Sequence, residues 1–175
     1  LSLNKSSFYH YFGDRDIYFE LLMNHHHHMV DLLIDDIGKI STFDPGYLQV
    51  MVNHQLTVLA TMQLVKNRHI KLFDHAYSEV KHKVNGAIVA LWSDYLGLSG
   101  QPEFALRYFE MTQALFYTRV TCHNLNYEFL HQIASEAKEI FYELTISELS
   151  IPTPQIMRTA FLKEADGNYA QATIR

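Results

Sequence analysis

Apolar residues in this 175-residue chain recur at three- and four-residue intervals along most of its length, the spacing that lines one face of an α-helix. Strand patterning is scarce. No Asn-Gly or Asp-Gly pair lies between two alternating runs, and β-branched residues are scattered among helix formers. Asp14, followed by Ile17, Leu21, Leu22 and Leu32 or Leu33, predicts an N-capped helix over 14–37 ended by Gly38. Asp44-Pro45 reads as a cap followed by proline at the first helical position. Leu48, Met51, Val52, Leu56, Leu59 and Met62 or Gln63 then continue a helix to about residue 65. Asn67 is expected to cap a short helix carrying Ile70, Leu72 and Phe73, and Ser78 to open a long one with Val80, Val84, Ala87 or Ile88, Leu91 and Tyr95 on its stripe. Gly97 to Gly100 should end it. Gln101-Pro102 starts the next helix, where Phe104, Tyr108, Met111 and Leu115 form a broad aromatic stripe over 103–122. Over 127–149, Leu130, Ala134, Ala137, Phe141 and Leu144 fall on one line. Pro152 and Pro154 stop it, a last short helix is expected over 155–163, and residues 166–175 read as a fraying polar tail. The fold class is all-α.

Composition narrows the function. With 48% apolar residues the chain can build a core. Its single cysteine, Cys122, excludes an internal disulfide framework and points to a reducing cytoplasm. No run approaches the ~18 uninterrupted apolar residues of a membrane span. The formal charge of −5 argues against wholesale coating of nucleic acid but leaves room for a small basic contact surface. The chain opens on Leu1-Ser2-Leu3 without an initiator Met, in what reads as a turn, so further residues are expected upstream.

The segment from Leu3 to Tyr18 carries the most specific signal. Asn4 can cap a short helix on which Phe8 and Phe12 face inward while Lys5, Ser6, Ser7, Tyr9 and His10 face outward. Small hydroxyls permit close approach to base edges, a phenol can donate to a phosphate oxygen, and Arg15 adds a cation at the positive start of the next helix. The run Phe8-Tyr9-His10-Tyr11-Phe12 with Gly13-Asp14-Arg15 resembles the signature of the tetracycline-repressor (TetR) family of transcriptional regulators. In that pattern a recognition helix is followed two residues later by a basic residue, more often lysine, that opens the following helix. The resemblance covers about residues 3–22. It implies that Ser6, Ser7, Tyr9 and His10 lie in or beside a major groove, that Lys5 and Arg15 touch phosphate, and that Phe8, Tyr11 and Phe12 support the head. It further implies two helices before Leu3, so that residues 1–22 are the C-terminal part of a helix-turn-helix head. Residues 23–165 would then be an effector-binding and dimerisation body. By the same analogy the helices at 103–122 and 127–149 would pair with their copies in a homodimer, and those at 45–65 and 78–96 would enclose an effector pocket.

Met51, His54, Met62, Trp92, Tyr95, Phe116 and Tyr117, with Val58, Ile88 and Val120, are the candidate lining of that pocket, suited to a small apolar or aromatic effector. The same residues would also make an ordinary core. Metal chemistry has weaker support: in the run His25 to His28 only two of the four can share one helical face, and His69, His75 and His82 are expected on different helices. No cofactor is implied. Cys122-His123 point apart on a helix, and neither a nucleophile elbow, a phosphate loop nor an HExxH run occurs, so catalysis has no positive sign. The expectation is a ligand-responsive DNA-binding regulator, a repressor released from a palindromic operator. The rivals are a helical dimeric interaction protein, and a small-molecule carrier or enzyme without DNA binding.

Overall fold

The computed structural model describes residues 14–98 and 100–150, and every regular element among them is helical. None of these helices is long and apolar enough to cross a membrane. In chain order they are α1 (Arg15–Ile37), a π-helical turn (Phe43–Tyr47), α2 (Leu48–Asn53), α3 (Gln55–Lys66), α4 (Lys71–Leu96), α5 (Pro102–Arg119) and α6 (Tyr127–Ser150). The predicted elements over 4–12 and 155–163 lie outside the described residues. The chain divides into two compact units between Ser135 and Glu136, inside α6.

Helix ends follow the capping chemistry of the sequence at several places. The Asp14 carboxylate accepts from the Asp16 amide at 3.0 Å and starts α1. Gly97, at φ 71°, takes the left-handed conformation that closes α4, and Pro102 occupies the first turn of α5. Four expectations are corrected. Asp44 caps nothing: Thr42 receives the Gly46 amide at 3.3 Å instead, Asp44 is extended and followed by a cis peptide, and its carboxylate is engaged elsewhere. The single helix expected over 45–65 is interrupted at His54 (φ −102°, ψ 30°). No helix opens at Ser78, because its hydroxyl donates back to the Asp74 carbonyl at 2.8 Å and α4 runs through it. Asn67 likewise donates to Gln63 O and terminates α3 rather than starting a new helix.

The first unit is built around α4, which packs against α1, α3, α5 and the π-helical turn. Its buried line runs Ala76, Val80, Ile88, Trp92 and Leu96, four residues at a time with the half-buried Val84 between Val80 and Ile88, so Leu91 and Tyr95 fall to the margin. On α1 the buried line is Met23, His26, Val30, Leu33 and Ile37, whereas Ile17, Leu21, Leu22 and Leu32 are exposed. A histidine thus occupies a core position where the aliphatic pattern pointed elsewhere. Tyr108 is buried on α5, but Phe104, Met111 and Leu115 are exposed. On α6 within the first unit Leu130, Ile133 and Ala134 are buried. In the second unit Ala137 and Phe141 are buried and Leu144 is exposed.

Candidate ligand cavity

A cavity of about 90 Å³ lies inside the first unit. Its walls are apolar for the most part. Leu33 reaches it from α1, Phe43 and Tyr47 from the π-helical turn, Leu48 and Met51 from α2, Val58 and Thr61 from α3. Val80, Val84 and Trp92 come from α4, Phe109, Phe116 and Tyr117 from α5, and Leu130, Ile133 and Ala134 from α6. Lys81, Val84, Thr112, Gln113, Phe116 and Tyr117 are the partly exposed members of the wall. A dry cavity of roughly 150 Å³ holds benzene, so this one has room for about four heavy atoms before its walls must move.

Aromatic rings make the floor rigid. Trp92 is completely buried, with Phe43 at 4.8 Å, Tyr95 at 5.6 Å, Phe109 at 5.7 Å and Tyr108 at 6.1 Å between ring centroids. The turn that carries Phe43 is held from α6. Tyr127 donates its hydroxyl to Asp44 Oδ1 at 2.7 Å, and His131 Nδ1 meets Oδ2 at 2.7 Å. The bond to Asp44 raises the Tyr127 pKa, since the phenol is held as a donor.

Several polar wall groups already have partners. Lys81 Nζ lies 2.9 Å from Glu110 Oε1, which also accepts from Asn85. Gln113 donates to Asn85 Oδ1 at 3.4 Å and Thr112 to the Tyr108 carbonyl at 3.0 Å. The Thr61 hydroxyl donates to Thr57 O at 3.0 Å, so the His26 Nε2 atom 3.2 Å away must be the donor in that second bond. Burial, with His27 and His25 nearby, lowers the His26 pKa to about 4 and keeps the ring neutral. Burial also raises the phenols of Tyr47 and Tyr117, so both stay protonated. Trp92 Nε1 differs: it is buried and has no acceptor.

Of the candidate lining residues, Met51, Val58, Trp92, Phe116 and Tyr117 stand in the wall. His54, Met62, Tyr95, Ile88 and Val120 do not. His54 turns to Asp36 Oδ2 at 2.8 Å, where Asp36, bonded first by Lys39 and then by His54, has a lowered pKa. Met62 and Ile88 are packed core, and Tyr95 backs Trp92 and Phe43. Sequence reasoning missed Phe43 and Tyr47. Their i, i+4 aromatic spacing across Asp44-Pro45 was the available signal. Among the DNA-contact candidates only Arg15 is described: it is exposed at the start of α1, its Nε 3.7 Å from Asp16 Oδ1. Lys5, Ser6, Ser7, Tyr9 and His10 lie outside the described residues. The histidine run is dispersed, with His26 inward, His27 3.3 Å from Glu79, and His25 and His28 exposed. No metal-holding cluster of His, Cys, Asp or Glu occurs among the described residues. Comparison with protein-family models, with curated proteins and with solved structures gave no match.

Proposed function

We propose that the chain is the body of a ligand-responsive transcriptional regulator of the tetracycline-repressor type, a homodimer whose cavity receives a small apolar or aromatic effector. The observation that carries this reading is that one helix joins both features: α1 opens on Arg15, the cation of the family pattern, and contributes Leu33 to the cavity wall. At ~1.5 Å per residue these positions are about 27 Å apart along the helix. A ligand that needs more room than the cavity offers favours a conformation in which Leu33 has moved, and α1 transmits that preference to the recognition helix. Ile17 and Leu21, exposed on the first half of α1, offer a DNA-binding head an apolar face to pack on.

The test uses the product of the complete gene, because the resemblance places two helices before Leu3. Selection of genomic fragments should enrich one palindromic site whose affinity falls as salt rises. Tyr9→Ala should weaken that binding by about 1 kcal/mol or more, as loss of a positioned phosphate contact would. Failure to enrich any site would leave the second reading, a small-molecule carrier, which the cavity favours by itself.

A further inference from the structure

A second recess shares Lys81, Gln113 and Tyr117 with the cavity and is formed by the end of α3, α4 and α5. Its volume is about 650 Å³, and every residue that lines it belongs to the first unit. Three cations stand on it, Lys66, Arg68 and Lys81, against one acid, Glu110. That balance runs against a chain of formal charge −5. Lys81 is paired with Glu110 at 2.9 Å, whereas Lys66 is exposed and has no ion-pair partner among the described residues. Arg68 is already held in place. Its Nε donates at 2.7 Å to Asp74 Oδ1, which does not line the recess, and its guanidinium carbon lies 5.1 Å from the centre of the Tyr77 ring. The two terminal nitrogens remain for another acceptor, and their fork matches the two oxygens of a carboxylate. The same recess carries apolar surface from Val65, Ala114 and Val120 and from the rings of Tyr77 and Tyr117, which meet edge to face at 6.2 Å.

From this we infer that the recess is a separate binding site for an amphipathic monocarboxylate, whose carboxylate meets the terminal nitrogens of Arg68 and the ammonium of Lys66 and whose apolar body lies on Tyr77, Tyr117 and Val120. Set against Glu110 and Asp74, the three cations leave a surplus of one positive charge. One carboxylate neutralises it; a phosphate monoester, with a charge of roughly −2, overshoots. An organic cation meets the surplus as repulsion, and a bare inorganic anion makes no use of the apolar surface. A neutral molecule of the same shape leaves the Arg68 fork to water. The site goes beyond the effector reading, since it assumes neither the regulator nor an occupied cavity.

The probes are 4-phenylbutyrate and 4-phenylbutyramide, which share a shape and differ in charge, titrated against the complete chain and followed through their own proton line widths. The carboxylate should bind about tenfold more tightly than the amide at low salt and lose most of that margin at ~1 M salt. Arg68→Gln should weaken carboxylate binding about fivefold and Lys66→Gln about threefold, with the amide unchanged in both. Arg68→Lys keeps the charge without the planar fork and should fall between the native protein and Arg68→Gln. Lys83→Gln removes an exposed cation that does not line the recess and should alter neither affinity. No carboxylate binding at about 10 mM probe overturns the inference. So do equal affinities for the two probes, an affinity indifferent to Arg68→Gln and Lys66→Gln, or a loss in Lys83→Gln as large as in Arg68→Gln. All three side chains are exposed, so native helix content is expected in every variant. DNA plays no part in this titration, and its outcome therefore stands apart from that of operator selection.

Discussion

His26 shows how much a single side chain can decide. Its position on the buried line of α1 would accept an aliphatic residue, yet the ring is placed to donate to Thr61, which in turn donates to the Thr57 carbonyl. The ring is neutral in the fold, with a pKa near 4, and titrates at about 6.5 when unfolded. Between these values the unfolded chain binds the extra proton, so stability is full above about pH 6.5 and is lost as pH falls toward 4. Denaturant unfolding at pH 7 and pH 5 should differ by about 2 kcal/mol from this residue, and His26→Gln should remove most of that difference. Asp36 acts in the same direction at lower pH. Its lowered pKa contributes stability that is present above the ordinary carboxylate value and disappears as pH falls through the depressed one. The run of four histidines announced something unusual, but sequence alone could not say which ring turns inward, because consecutive residues sample every side of a helix.

Among the elements, the legible ones are those whose ends are written in local chemistry. Asp14, Gly97 and Pro102 act on their own backbone, and the helices begin or end there as the sequence predicts. Gly97 gives the sharpest check: nothing lies within 4 Å of a Cβ built on it, so Gly97→Ala meets backbone strain alone. Thermal or denaturant unfolding should report a loss of about 1 kcal/mol, and an unchanged midpoint would show that α4 closes by another route. The illegible elements are those settled by distant partners. Asp44 resembles a cap, but Tyr127 and His131 claim both carboxylate oxygens. His54 sits in a helical pattern but reaches for Asp36, and α2 and α3 separate there. The break turns α3 out of the register that α2 sets, which is why Leu56, expected inside, is 76% exposed while Thr57, Val58 and Thr61 are buried. The cavity was legible to the same degree: Met51, Trp92, Phe116 and Tyr117 sit on regular helical stripes, and Phe43 and Tyr47 sit on the turn that no stripe predicts.

For the whole molecule, the exposed apolar residues of α5 are the feature that calls for a partner. Met111 and Leu115, four residues apart on one face of α5, are both exposed. In the proposed homodimer this face meets its copy. Met111→Glu with Leu115→Glu should therefore convert dimer to monomer in sedimentation at micromolar concentration while leaving helix content intact; a native protein that is already monomeric would remove the dimer from the proposal.

The bond between Asp44 and α6 also bears on how the molecule comes into being. Its two partners come 83 and 87 residues later in the chain, so a ribosome that has already delivered α1 through α5 still carries a chain whose aromatic turn is unfastened. Until α6 emerges, Phe43 and Trp92 belong to an unsealed apolar hollow. The nascent chain therefore leaves this hollow open to chaperones and proteases until α6 has emerged, and its first unit closes only then.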